Sequence, residues 1–168
     1  MIDIVDKSTR SRMMAGIKGK NTNPELLIRS GLHARGYRFR LHGRKLPGKP
    51  DIVFPKYNAL ILINGCFWHL HDCHLFKWPK TRPAFWKYKL TRNSNRDAET
   101  REKPAGMGWR SLTIWECALK GKTRLCLDDL ICKVIEWLEG GKKIWRFVEV
   151  TSCKGNKRFL RIFTGKAW

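Results

Sequence analysis

The chain has 168 residues, of which 42% are apolar, so one folded domain with a sizeable core is expected. Its 35 Lys and Arg against 14 Asp and Glu give a net charge of +21, which predicts a polyanionic partner, most commonly nucleic acid. An anionic membrane surface is the disfavoured alternative, because the basic residues are spread along the chain and no long apolar run or signal segment is present.

Residues 1–22 form a basic arm in which a short helix is predicted, with Ser8 or Thr9 as its cap. Two interpretations of this arm stay open. It is either a loosely docked surface segment or a segment that lies along DNA.

A second helix is predicted from Asn23, the expected cap, to about Arg35, because Pro follows at the first helical position and Gly36 stops the helix. Glu25 lies on one stripe with the apolar Ile28. Glu25 is interpreted either as a first-turn carboxylate that complements the helix dipole or as part of a site.

Three strands are predicted next, at "YRFRL" and at residues 51–54 and 59–63, the last two joined by a turn. A hairpin turn centred near Tyr57 places Asp51 opposite residue 62 or 63.

The rest of the chain predicts a helix over residues 84–103, a strand over 109–116, a helix over 123–139 and a hairpin around Gly155-Asn156. The order of these elements indicates α/β or α+β architecture, with helices on both sides of a mixed sheet.

The segment "NGCFWHLHDCH", residues 64–74, contains the ligand types of a structural zinc site. The candidates are Cys66, Cys73 and Cys117, with His69, His71 or His74 as the fourth ligand. Spacing alone does not choose the histidine, and the thiols could instead be small buried hydrophobes. Six cysteines without a signal segment favour reduced thiols or metal ligation over disulfides.

Phe67 and Trp68 lie between these candidate ligands. They are interpreted either as core residues or as a surface that faces flat apolar groups. In an extended segment two adjacent side chains point to opposite sides, so at least one of the two rings is expected to pack inward.

Asp51 begins a strand directly after a proline turn, and Glu25 precedes it on a helix. Phosphodiester hydrolysis commonly uses a divalent cation, usually Mg²⁺, held by such carboxylates.

Six motifs then occur in order: "DKSTRSRMM", Glu25 at a helix start, "LPGKPDIVF", "GCFWHLHDCHLFK", "TRPAFW" with Lys89 and Asn93, and "GWRSLTIWECAL". On these motifs the chain resembles the very-short-patch repair (Vsr) endonucleases of the PD-(D/E)xK nuclease superfamily, from about Asp6 to Gly140. The resemblance implies an α/β fold with a restriction-endonuclease-like core, a central mixed β-sheet flanked by helices, a structural zinc site and a C-terminal β-hairpin extension.

The resemblance also implies a catalytic set. Asp51 and the backbone carbonyl of Ile63 would bind Mg²⁺, His69 would handle the proton of the attacking water, and Glu25 would hold metal-bound waters. Vsr enzymes tend to carry Thr-His where this chain has Ile-Asn, so Asn64 takes the second position. An amide donates hydrogen bonds but cannot act as a base at neutral pH.

The remaining implied roles concern zinc and DNA. The implied zinc ligands are Cys66, His71, Cys73 and Cys117. The implied DNA-binding residues are Phe67, Trp68, Trp86, Lys89, Asn93 and Met14. The three aromatic residues would enter the base stack beside a T·G mismatch.

The implied activity is Mg²⁺-dependent, strand-specific nicking of double-stranded DNA beside the T of a T·G mismatch left by 5-methylcytosine deamination. We expect an arm over residues 1–22, an endonuclease domain over 23–140 and a basic extension over 141–168. A monomer in the bacterial cytoplasm, associated with the nucleoid, is expected, and mismatch-repair proteins are candidate partners. A homing or restriction-type nuclease of the same fold and a zinc-stabilised DNA-binding protein are the alternatives.

Overall fold

One mixed sheet with helices between its strands forms the fold. The structure, a computed structural model, describes residues 6–16, 19–101, 103–121, 124–140, 147–150 and 160–163. The helices are α1 Lys7–Ala15, α2 Asn23–Ala34, α3 Pro83–Arg101, α4 Lys103–Gly106 and α5 Leu127–Glu139. The strands are β1 Arg40–Leu41, β2 Ile52–Phe54, β3 Ala59–Asn64, β4 Arg110–Trp115, β5 Phe147–Val150 and β6 Leu160–Phe163. The predicted mixed α/β architecture is confirmed.

The first helix begins earlier than predicted. The carboxylate of Asp6 accepts hydrogen bonds from the backbone N–H groups of Ser8 and Thr9, both at 2.8 Å. Bonds from the side chain of Ser8 and from Thr9 hold the pKa of Asp6 well below its usual range. The predicted cap at Ser8 or Thr9 is therefore wrong, because Asp6 reaches the free amides of the first turn.

The second helix begins at the predicted place, but Thr22 is its cap and Asn23 its first residue. The carboxylate of Glu25 accepts hydrogen bonds from Thr22 N at 3.3 Å and Thr22 Oγ1 at 2.9 Å, which closes the first turn. Gly36 follows the helix with φ +84°, as predicted for a helix stop.

The sheet runs in the order β1-β2-β3-β4-β5-β6. Strands β1, β2 and β3 pair antiparallel, whereas β3, β4 and β5 pair parallel. Ile52 faces Ile61, so continuing the register by one residue puts Asp51 opposite Leu62, as predicted. Because β3 and β4 run in the same direction and Asn64 pairs with Trp115, both strands end at the same edge of the sheet.

The main core lies between the sheet and helices α2 and α5. Its fully buried side chains include Ile28 and Leu32 of α2, Ile61 and Ile114 of the central strands, and Leu130 of α5. Each such side chain stabilises the fold by about 1.5–3 kcal/mol. Helix α3 borders the opposite face of the sheet. The apolar runs of β2 and β3 predicted strands covered on both faces. Strand β2 is buried throughout, and β3 is buried over its first three residues and half-buried over its last three. Strand β4 is also buried throughout.

Near the end of the chain, the start of one helix differs from the prediction. Helix α5 begins at Leu127, not at residue 123, and its first turn carries Asp128 and Asp129, which favour a helix N-terminus. Strands β5 and β6 pair antiparallel, which confirms the predicted hairpin, while its Gly155-Asn156 turn lies outside the described residues. Among the described residues, no helix is both long and apolar enough to cross a bilayer.

Candidate active site and metal centre

Asp51 lies between the proline turn and the first residue of β2, beside the end of β3. Its Oδ2 accepts a hydrogen bond from Ile63 N at 2.8 Å. The N–H and C=O of one strand residue project to the same edge of the strand, so the Ile63 carbonyl also faces the Asp51 side. This arrangement gives two oxygen atoms at one place, a carboxylate and a carbonyl, which are the atoms that hard cations prefer.

Burial changes the chemistry of this carboxyl group. Loss of solvent is the main cause that raises the pKa of Asp51 to about 6, a net value that includes the opposing hydrogen bond from Ile63 and a smaller upward contribution from the charge of nearby Glu25. A carboxylate that is costly to charge in the free protein gains more from a nearby cation than an exposed one does. The group therefore suits cation binding better than a solvated carboxylate would.

The carboxylate of Glu25 accepts four hydrogen bonds. Asn21 N donates to its Oε2 at 3.0 Å, Arg29 forms a buried salt bridge with the same oxygen, and Thr22 donates twice to Oε1. Arg29 also donates to Asn21 Oδ1 at 2.6 Å. Glu25 is only 3% exposed, so its carboxylate is both a helix cap and a fixed buried charge beside Asp51.

His69 is oriented by a residue of α3 that the sequence interpretation missed. Its Nδ1 forms a short contact with Oδ2 of Asp97. A carboxylate accepts a hydrogen bond from Nδ1–H, which leaves the Nε2 lone pair as an acceptor. The ring therefore has the tautomer that a general base needs.

These groups line one cleft of about 630 Å³. We name it the carboxylate cleft, and it is lined by Glu25, Asp51, Ile63, Asn64 and His69, with Lys49 and Trp68 among its neighbours. The side chain of Asn64 is an amide, which does not take up a proton at neutral pH, and His69 is the histidine of this lining.

A second group of ligand atoms lies at the shared end of β3 and β4. Cys66, His71, Cys73 and Cys117, named here the Cys/His cluster, each offer one atom, and these atoms all lie within 4.8 Å of one another. Cys66 and Cys117 are fully buried. Four such atoms at this spacing fit a tetrahedral zinc site.

Local backbone geometry selects His71 among the three histidines. Leu70 has φ +51°, and this left-handed residue turns the chain so that His71 N donates to Cys66 O at 3.0 Å. The His71 ring then stacks on Trp115 at 4.1 Å between centroids, with its Nδ1 at 3.7 Å from Cys117 Sγ. His74 instead packs beside Gly121, where an added Cβ would lie 2.3 Å from its Nε2.

The thiols of the Cys/His cluster are crowded. The hydrogen bond with Cys117 and, secondly, burial raise the pKa of Cys66, and burial raises the pKa of Cys73. Thiols that resist ionisation on their own become thiolates when a cation binds between them. The cluster therefore fits a bound metal better than it fits three neutral core thiols.

Phe67, Trp68 and Trp86 form an aromatic cluster next to the carboxylate cleft. The Phe67 and Trp68 rings lie 5.3 Å and 6.0 Å from the Trp86 ring, and all three are half-buried. Residues 66–70 form a turn, so the extended segment assumed for Phe67 and Trp68 is not found, and neither ring is fully buried.

Helix α3 carries the other predicted DNA-binding residues on the same face. Lys89 Nζ lies 5.3 Å from the Trp68 ring centroid, and Asn93 Nδ2 donates to Trp68 O at 3.2 Å. Asp97 follows Asn93 by four positions on this stripe, which was the available signal for its role. Met14 lies on α1, and its side chain is outside the described residues.

A further histidine was missed. His42 lies in a second group of potential ligands with Glu25 and Asp51, whose atoms are all within 4.8 Å of one another. Its sequence context, a single histidine between β1 and a turn, carried no motif signal.

Sequence comparisons bear on this arrangement. The family model of DNA mismatch endonuclease Vsr matches residues 2–75. The chain is 41% identical over 140 residues to DNA mismatch endonuclease Vsr of Escherichia coli (strain K12), covering 83% of this chain and 90% of that protein. The chain belongs to the Vsr family of DNA mismatch endonucleases.

Other relatives agree with this assignment. Type II nicking enzyme V.XorIIP of Xanthomonas oryzae pv. oryzae is 41% identical over 134 residues, covering 76% of this chain and 98% of the relative. Type II nicking enzyme V.NmeAIP of Neisseria meningitidis serogroup A is 39% identical over 130 residues, covering 77% and 92%. This Vsr-family chain is a DNA endonuclease of the nicking type, and such a nuclease implies a divalent metal.

Proposed function

We propose that this endonuclease nicks one strand of duplex DNA beside the T of a T·G mismatch that arises from deamination of 5-methylcytosine, and so starts very-short-patch repair. The observation that carries this proposal is that the aromatic cluster adjoins the carboxylate cleft, since Trp68 belongs to one and lines the other. A flat apolar surface next to a hydrolytic site suits a base pair that opens at low cost.

Mg²⁺ would be held by Asp51 and the carbonyl of Ile63, where it would supply charge neutralisation and an acidified water. Their shared position at the end of β3 supports this role. Asp51 orients the oxygen ligands, and Glu25, fixed by its helix cap and Arg29, adds negative charge beside them. The carboxylate of Glu25 holds metal-bound water only if one of its present hydrogen bonds opens.

His69 removes the proton of the attacking water. Asp97 fixes its tautomer and stabilises the imidazolium that forms. Asn64 donates a hydrogen bond to the scissile phosphate, since its amide can donate but cannot accept a proton at neutral pH. Proton transfer therefore depends on His69 alone in the lining of the carboxylate cleft.

The Cys/His cluster holds a structural zinc ion through Cys66, His71, Cys73 and Cys117. All four positions of a tetrahedron are then filled by protein, as in structural sites. A zinc ion held there would fix the turn that carries Phe67, Trp68 and His69, because the ligands Cys66 and His71 bracket these three residues in the sequence.

The aromatic cluster enters the base stack at the mismatch, and its apolar area offsets the unstacking cost of a few kcal/mol. Lys89 and Asn93 contact the DNA next to it, with Met14 from the basic arm. The net charge of +21 supplies the attraction to phosphates.

The architecture corresponds to a restriction-endonuclease-like core over residues 23–140, with an arm over 1–22 and a basic extension over 141–168. A single chain acts as a monomer, since one site cuts one strand. Action in the bacterial cytoplasm, at the nucleoid and together with mismatch-repair proteins, follows from this role.

The direct test uses an end-labelled duplex with or without one T·G pair, incubated with Mg²⁺. We expect one nick, beside the T, in the mismatched duplex only. Cleavage of both strands of the matched duplex would indicate a homing or restriction-type nuclease instead, and binding without cleavage would indicate a DNA-binding protein.

A matched pair of variants tests the catalytic assignment. Asp51→Asn should abolish nicking without destabilising the fold and without changing zinc content, because the amide keeps the shape of the group but loses its charge. Asp129→Asn, an exposed carboxylate on α5, should nick normally. Nicking by Asp51→Asn at the unaltered rate would disprove the metal assignment.

A further inference from the structure

His42 faces Asp51 across the first hairpin of the sheet. Arg40 pairs with Val53 and Leu41 with Ile52, so the next pair in this register is His42 with Asp51. The backbone continues the pairing, since His42 N donates to Asp51 O at 3.1 Å. Directly opposed residues of antiparallel strands carry their side chains on the same face, which brings the imidazole to the Asp51 carboxylate.

The geometry gives the two side chains a common neighbour in Glu25. A ring nitrogen of His42 and one carboxylate oxygen each of Asp51 and Glu25 lie within 4.8 Å of one another. The Glu25 oxygens are already used by Thr22, Asn21 and Arg29. Among the described residues, neither Asp51 Oδ1 nor the His42 ring has a hydrogen-bond partner. These are the available donor atoms of the group.

The position of the ring is fixed by the backbone. His42 has φ +51°, a left-handed conformation that costs a non-glycine residue of order 1–3 kcal/mol and persists only where the surroundings hold it. Gly43 N donates to Pro50 O at 3.0 Å, and a Cβ at Gly43 would lie 2.7 Å from the side chain of Val53. The loop after β1 is therefore closed tightly, and it holds an imidazole where glycine would be less strained.

The guanidinium of Arg29 affects the net charge of the group formed by Glu25, His42 and Asp51. It pairs with Glu25, which offsets part of the charge of that carboxylate, whereas Asp51 has no ion-pair partner among the described residues. An added neutral imidazole supplies a ligand without further like-charge repulsion. A dication at Asp51 thus gains a nitrogen donor at no electrostatic cost.

We propose that His42 is a nitrogen ligand of the divalent cation held by Asp51, and that this site consequently binds Mn²⁺ more tightly than Mg²⁺. This inference rests on the proposed function, which assigns the cation to Asp51. Mg²⁺ prefers oxygen ligands in near-ideal octahedral geometry, whereas first-row transition-metal dications accept an imidazole nitrogen more readily, Mn²⁺ the least strongly among them.

The test measures Mn²⁺ binding to the full-length, zinc-replete protein without DNA, by the loss of the free Mn²⁺ electron paramagnetic resonance signal, with Mg²⁺ as competitor. In the unaltered protein, bound Mn²⁺ should show nitrogen hyperfine modulation from a directly bound imidazole. His42→Gln should remove this modulation and weaken Mn²⁺ binding by about tenfold or more, with Mg²⁺ binding changed by less than about threefold, because Gln offers an oxygen in its place.

Three further variants locate the effect. His33→Gln, an exposed histidine of α2, and His69→Ala should both keep the nitrogen modulation. Asp51→Asn should abolish binding of both cations, and if it does not, the proposed metal site itself is wrong. If Asp51→Asn abolishes binding while His42→Gln retains both the modulation and the Mn²⁺ affinity, the role of His42 alone is overturned.

Discussion

The Cys/His cluster and the carboxylate cleft share one short segment, since His69 of the cleft lies between Cys66 and His71 of the cluster, and the two sites differ in almost every physical respect. The cluster offers four soft ligands, two of them fully buried, and no position for a water. The cleft offers hard oxygen atoms, remains open to solvent, and uses part of its ligand set for helix capping. A closed set of protein ligands suits structure, whereas an incomplete set suits a reaction that must admit water and phosphate.

Removing a ligand of the closed set should have the largest effect. Cys117→Ser is expected to lower the free energy of unfolding by several kcal/mol, a large part of a typical total, and to reduce bound zinc. Zinc content by mass spectrometry and Tm by calorimetry measure this. The exposed Cys126→Ser is the control and should match the unaltered protein. An unchanged Tm together with an unchanged zinc content in Cys117→Ser would refute the closed-site description.

Asp97→Asn should impair catalysis in the carboxylate cleft and leave the Cys/His cluster unchanged. The amide can donate to His69 and so select the wrong tautomer, and kcat for nicking is expected to fall by about a hundred- to ten-thousand-fold. Tm and zinc content should not change. Glu99→Gln, on the same helix and exposed, controls for the loss of one negative charge. If Asp97→Asn lowers DNA affinity and leaves kcat intact, Asp97 does not orient His69.

The raised pKa of Asp51 predicts that the free energy of unfolding falls as this carboxyl group ionises. Since its pKa is about 6 in the folded protein and 3.8 ordinarily, the folded state binds the proton more tightly. Ionising Asp51 therefore destabilises the fold, and this cost is absent below pH 4 and complete above pH 6. In Mg²⁺-free buffer, Asp51→Asn should be more stable than the unaltered chain by about 1–3 kcal/mol at pH 8 and equal to it near pH 4.

Denaturant titrations at the two pH values measure this difference, and a pH-independent gap would contradict the assignment to burial. Added Mg²⁺ should narrow the gap at pH 8, because only the unaltered chain gains stability from the cation.

Trp86→Leu should give the smallest of these effects. It tests the aromatic cluster, the surface between the Cys/His cluster and the carboxylate cleft. Loss of one stacking ring is expected to weaken binding to a T·G duplex by about 1–3 kcal/mol, with little change for a matched duplex. Tyr88→Leu is a useful control, since Tyr88 is exposed and makes no ring contact among the described residues. Fluorescence anisotropy measures both affinities. An equal loss for matched and mismatched duplexes would assign Trp86 to packing alone.

Part of this arrangement could be predicted from the sequence, because it follows from the spacing of residues within a hairpin or along a helix. A short hairpin fixes its own register, so the approach of Asp51 to residue 63 was predictable. The helical stripe through Trp86, Lys89 and Asn93 was also readable, and continuing it to Asp97 would have found the partner of His69. The predicted caps of α1 and α2 were wrong by one to three residues, because several neighbouring side chains could have reached the same amides.

Other features depend on backbone conformations that composition does not reveal. The choice of His71 over its neighbours follows from the left-handed turn at Leu70, and the placement of Phe67 and Trp68 on one side follows from the same turn. His42, which follows β1 and faces Asp51, also has a left-handed backbone. Single residues with positive φ therefore decide which side chains meet in this protein.

The parallel pairing of β3 with β4 has a consequence for assembly of the enzyme. Cys66 and Cys117 follow these strands and are separated by 51 positions in the chain. An ion bound between them acts as a cross-link that closes this long loop, which by the chain-entropy model restricts the unfolded chain by roughly 4 kcal/mol. Parallel strands form slowly because their contacts are distant in sequence. A metal ion bound at the Cys/His cluster would therefore hold together the ends of two strands whose contact is slow to form.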